Sequence, residues 1–218
     1  MAMPEPYRIA DKTITLLNQQ AIAKTNSVKQ RLSVLKFDEV NTMKQIDALY
    51  EWLDQNNRKK YKELFIARYT EMLLFLRKAK RLKKDDEDEL DELAEMYIFG
   101  LLSEPNEVVH YTYDSEVLRK RDRMKEAVLS VPTNTQKQIE IDKNLRFWAL
   151  ASAFFADFAS QGAEIEAIRA YGAKRVERHE LMDRKTCREC KKADGEIYSI
   201  NKIPPITHPR CRRWFTPV

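Results

Sequence analysis

The stretch TCRECKKADGEIYSINKIPPITHPRCRRWF, Thr186 to Phe215, holds all three cysteines of the chain and one of its three histidines. Cys187 and Cys190 form one pair at C-x-x-C spacing. His208 and Cys211 form a second pair at H-x-x-C spacing. Each short pair turns two side chains toward one point. A hairpin-like spacer between the pairs lets them converge, which suits a tetrahedral zinc ion. A closed set of four ligands leaves no position for water, so such a site is structural and the chain is expected not to be an enzyme.

Energetics point the same way. A module of some forty residues has too small a core to fold alone. Structural zinc supplies about 10–16 kcal/mol of apparent binding energy, which becomes folding energy. Pro204, Pro205 and Pro209 stiffen the returning arm. Competing readings are a redox pair, ordinary core cysteines, and a zinc-stabilised nuclease of the HNH sort. A redox C-x-x-C opens a helix in a thioredoxin-like context, which the sequence lacks. A nuclease needs a further histidine and a nearby acid, and His179 is the only candidate. Iron is the other metal that this donor set accepts.

Around the tail the period is helical. Of 218 residues, 43% are hydrophobic and only four are glycine, a composition for buried helices rather than a turn-rich β fold. Leu17, Ala21, Val28, Leu32 and Leu35 mark a helix over residues 8–36. Met43, Ile46, Leu49, Tyr50 and Leu53 mark a second, Asn41 to Gln55. Phe65, Tyr69, Met72, Leu73 and Leu76 mark a third, Arg58 to Lys80. The run RLKKDDEDELDEL turns from basic to acidic, as a helix start does, with Leu90, Leu93, Tyr97 and Leu101 on the buried side. Asp114 or Ser115 caps a further helix with Val117, Met124, Val128 and Val131 on one face. Arg119, Lys120, Arg121, Arg123 and Lys125 crowd the remainder.

A long helix, Gln138 to Tyr171, turns Phe147, Ala151, Phe154, Phe158, Ile165 and Ile168 inward and stops at Gly172. AKRVERHEL, EIYSI after the Asp194-Gly195 turn, and RRWFTPV then read as three strands. The fold class is mainly α, with long helices followed by a small zinc-stabilised β-rich module. Three regions are expected: 1–103, 104–172 and 173–218.

The net charge of +5 is concentrated at the end of the chain. From Tyr171 to Val218 there are twelve Lys and Arg against six Asp and Glu. Such a segment meets phosphates, an acidic protein or a membrane surface. The opening MAMPEPYRIADKTI has no apolar export stretch, so reduced thiols are expected. The longest apolar run, Phe147 to Ala156, is too short to span a bilayer.

The tail also resembles the signature of the bacteriophage head-morphogenesis, or minor head protein, family of the phage Mu F type. The matching residues are Asp183, Thr186, Cys187, Cys190, Asp194, Gly195, Tyr198, Pro204, Pro205, His208, Pro209, Cys211 and Arg212. A weaker likeness reaches back to about Glu104. The family has a further cysteine where this chain has Arg213.

The resemblance implies a minor virion protein, made in the host cytoplasm, that associates with portal, capsid or scaffold proteins at the capsid interior or portal vertex. For some members it implies contact with double-stranded DNA. Arg119, Lys120, Arg121, Arg123, Arg210, Arg212 and Arg213 are the expected DNA- or partner-binding residues. The alternatives are a zinc-dependent DNA-binding or nuclease-like protein, and a host or prophage-derived adaptor acting through its helices.

Overall fold

A computed structural model describes residues 6–34, 38–105, 110–206, 208 and 212–218. Leu35, Arg210 and Cys211 lie outside the described residues. Five long helices come first: α1 (Pro6–Val34), α2 (Glu39–Arg77), α3 (Lys84–Ser103), α4 (Tyr113–Leu129) and α5 (Asn134–Tyr171). The tail follows as β1 (Arg175–Glu180), a short helix α6 (Arg188–Ala193), β2 (Ile197–Ser199) and β3 (Arg213–Pro217). A mainly helical body followed by a small three-stranded module is therefore the fold.

The caps explain the boundaries. Asp38 accepts a hydrogen bond from the Asn41 N–H at 3.1 Å and starts α2. Thr112, two or three residues before the expected caps, starts α4 by accepting from Ser115 N–H. Thr133 and Gln136 form a reciprocal capping box that starts α5. Gly172, with φ of 96°, ends it in the left-handed region. Lys78 occupies the same region at the end of α2, with φ of 51°. A side chain there costs about 1–2 kcal/mol that glycine avoids.

The two helices expected over 41–80 are one, 39 residues long. Asn56-Asn57 looks like a break, but Asn57 is buried mid-helix. Its amide donates to Tyr61 Oη at 3.1 Å and Ser152 Oγ at 2.9 Å. A satisfied polar side chain does not interrupt a helix.

α5 is the axis of the body. Every residue from Ser152 to Glu164 is buried, because α1, α2, α3, α4 and β3 all pack against it. Its small residues admit close neighbours. A Cβ on Gly162 would lie 1.8 Å from the Tyr97 hydroxyl oxygen, so α3 approaches as it does only because that position is glycine. The buried ridge of α3 is Leu90, Ala94, Ile98 and Leu102, with Leu93, Tyr97 and Leu101 flanking it. Phe147 is a correction, being 41% exposed, with Lys120 and Arg123 lying over its ring. One hydrophobic core runs from α1 through α5 to Val176 and Phe215 of the sheet.

The sheet has order β2-β1-β3, antiparallel throughout. Register pairs Arg178 with Phe215, His179 with Trp214 and Glu180 with Arg213. Alternation therefore puts Val176, Arg178, Glu180, Arg213 and Phe215 on the inner face, and all five are buried. His179 and Trp214 stack on the outer face with centroids 5.5 Å apart.

Candidate metal centre

β1 delivers the chain to the cluster. Beyond Glu180 the backbone turns, and Asp183 and Thr186 fix that turn. Asp183 accepts from Lys185 N–H at 2.7 Å, and Thr186 Oγ1 accepts from Asp183 N–H at 3.1 Å while donating to the Leu181 carbonyl. Cys187 then caps α6, its sulfur accepting the Cys190 N–H at 3.3 Å. Asp194 Oδ1 accepts the Glu180 N–H at 2.8 Å. Gly195, with φ of 81°, donates to the Arg178 carbonyl at 2.8 Å. The knuckle is thereby fastened at both ends to β1.

His208 returns to meet it. Its Nε2 lies 3.3 Å from Cys187 Sγ and 3.3 Å from Cys190 Sγ. All three ligand atoms lie within 4.8 Å of one another. Zn–S bonds of about 2.3 Å and Zn–N bonds of about 2.0–2.1 Å at the tetrahedral angle separate sulfur from nitrogen by about 3.6 Å. The cluster is thus close to the edge length that a tetrahedral ion requires and is capable of coordinating one. Phe154, Phe158 and Ile206 pack around Cys190 and give the site an apolar wall.

Two charged residues that the sequence reading passed over reach this site. Arg178 extends from the inner face of β1, with Nη2 3.6 Å from Cys190 Sγ, and Glu180 holds its Nε at 2.7 Å. Only the strand alternation of RVERHE signals this, by placing Arg178 on the same face as Val176. His179, the further histidine considered for a nuclease, is on the opposite face with Nε2 2.7 Å from Thr216 Oγ1.

Of the expected cationic residues, the described ones are engaged within the protein. Arg119 and Lys120 both reach Glu116, at 2.7 and 3.4 Å. Burial lowers the Lys120 ammonium below its usual range, with Glu116 opposing that shift. Arg121 meets Asp47 and Asp122, and Arg123 lies 4.9 Å from the Phe147 ring centre. Arg212 pairs with Asp183. Arg213 is turned inward, 3% exposed, and donates to Gln161 and to the Pro204 carbonyl. Arg213 thereby ties β3 to α5.

A second buried connection joins tail and body. Glu164 of α5 accepts the Phe215 N–H at 2.8 Å and lies 3.3 Å from Arg68 of α2. Burial pushes the Glu164 carboxyl upward, while Arg68 and the Phe215 N–H pull it back.

Family models, curated proteins and solved structures contain no match to this chain. Among the described residues, no helix is long and apolar enough to cross a membrane.

Proposed function

We propose that the tail is a structural zinc knuckle and that the protein acts by binding a macromolecular partner, without catalysis. The convergence of Cys187, Cys190 and His208 within 4.8 Å carries this reading. Cys211 is the fourth ligand in the proposal, on the strength of its H-x-x-C spacing from His208. Zinc suits a donor set of thiolates and imidazole held by a module with little core of its own. The knuckle is a rigid piece anchored to the long helices through Arg213 and Phe215.

The partner is drawn from the resemblance. In that reading the chain is a minor virion protein that docks on the portal or procapsid during head assembly. What supports it is that Asp183, Thr186, Cys187, Asp194 and Gly195 each hold the knuckle together, as residues of a structural signature should. Co-purification with a co-expressed phage portal protein tests this directly. Failure of a tagged chain to retain the portal under low-salt conditions contradicts it.

The cluster bears more directly on a second reading, a zinc-dependent DNA-binding protein, because metal-binding chemistry is written in its distances and portal association is not. The nuclease form of that reading gains nothing from His179, which faces away from the cluster. Salt-dependent DNA binding that is lost with a chelator favours this second reading over the first.

A further inference from the structure

The loop between α2 and α3, Arg77-Lys-Ala-Lys-Arg-Leu-Lys-Lys84, places six cations in eight residues. Arg77 pairs with Asp86. Lys78, Lys80, Arg81, Lys83 and Lys84 are exposed and form no ion pair with any described residue. The loop borders a cleft of about 710 Å³ that is also lined by Ala170 and Tyr171 at the end of α5. Among the described residues, four cations line this cleft (Arg77, Lys78, Arg81 and Lys83) and no carboxylate does.

Helix dipoles do not account for so much charge. The carboxyl ends of α2 and α5 both meet here, and each is equivalent to about half a negative charge. Lys78 alone offsets that total. The acidic residues of α3 begin in its first turn with Asp85, Asp86 and Glu87, but none of them lines the cleft; Asp86 is held by Arg77, and Asp91 and Glu95 by Lys62. Lys78, Arg81 and Lys83 line the cleft with no ion-pair partner among the described residues. Tyr171 stands beside it with 47% of its surface exposed. Cations around a concave site with an exposed aromatic ring at its edge are the elements that hold a nucleic-acid strand, phosphates on the cations and a base on the ring. A duplex laid along α3 would run onto its carboxylates, whereas a single strand held within the cleft toward Tyr171 meets none among the described lining residues.

We propose that this cleft is a single-stranded nucleic-acid site, separate from the metal cluster and from the α4 cations. It stands or falls independently of the metal reading. The test is fluorescence anisotropy of the full-length protein with a labelled oligo-dT of about 16 nucleotides over a salt series. A Lys78→Gly/Arg81→Gln/Lys83→Gln variant removes three phosphate partners, and glycine suits the left-handed backbone at position 78.

The slope of log affinity against log salt is expected to become shallower by about two units in that variant, at about 0.7 per phosphate contact on a single strand. Tyr171→Ala is expected to weaken binding about fivefold or more. Metal content should match the unsubstituted protein and melting temperature should not fall, since glycine relieves the left-handed strain at position 78, which separates this result from any failure of the knuckle. Absence of binding at low salt, or an unchanged slope in the triple variant, overturns the proposal. So does loss of binding only in Arg119→Gln/Arg123→Gln, which moves the surface to α4. Displacement of the oligonucleotide by equimolar poly-glutamate also overturns it, in favour of an acidic protein partner.

Discussion

Arg212 lays two guanidinium nitrogens on the two carboxylate oxygens of Asp183, each at 2.5 Å, across 29 positions of sequence. The pair clamps the turn before Cys187 to the strand end that follows Cys211 in the chain. It therefore holds the two halves of the proposed ligand set in register before any ion arrives. Hydrogen bonds from Arg212, then from Lys185 N–H and Thr186, hold the Asp183 carboxyl far below the usual carboxylate range.

Asp183→Asn is expected to weaken metal affinity about tenfold, because the turn that positions Cys187 loses its ionic clamp. Competition with a chromophoric zinc chelator measures it. The pH dependence has a definite sign. A carboxyl with a depressed native pKa stabilises the fold above its unfolded value, near pH 4, and loses that contribution as pH falls further. Acid titration of the tail should show a loss in this window that is absent in Asp183→Asn.

Arg68 and Glu164 form a buried ion pair between α2 and α5. Arg68→Met leaves Glu164 without its cation and is expected to cost about 3–5 kcal/mol in urea unfolding. Glu164 has the opposite pH sign from Asp183. Its raised native pKa means that stability falls as pH rises from the ordinary carboxylate range toward that pKa. Glu164→Gln should remove that slope. The same slope in both proteins would show that another group is responsible.

Gly162→Ala brings a methyl group onto the Tyr97 ring. Overpacking of this kind costs about 1–3 kcal/mol. Tyr97→Leu in the same chain should recover part of the loss, because it removes the atoms in the way. Additive losses in the double variant would mean that the contact does not set the α3–α5 spacing.

Much of this fold is legible in the sequence where local chemistry decides it. Gly172 stops α5 because only a residue at ease with positive φ suits that position, and the three tail strands follow from their composition and the Asp194-Gly195 turn. The pairing of Cys187 and Cys190 with His208 is also local chemistry, written as spacing. What escapes the sequence depends on partners far along the chain. Asn57 looks like a helix break because Ser152, which satisfies it, is 95 residues away. Arg213 reads as a surface cation because Gln161, which accepts from it, lies on α5, 52 residues earlier in the chain. Arg178 reaches Cys190 only through the placement of α6 against β1. The short helix α6 is hidden for a different, local reason: its start is capped by a cysteine sulfur, which no propensity scale anticipates.

Elemental analysis of the purified chain, beside a Cys187→Ser/Cys190→Ser variant, tests the central claim most directly. The account predicts stoichiometric zinc in the unsubstituted protein. In the variant it predicts loss of the metal and of tail structure, while the circular dichroism of the five long helices is largely kept. A native protein free of transition metal, or a double-serine variant that still carries stoichiometric zinc, contradicts the account.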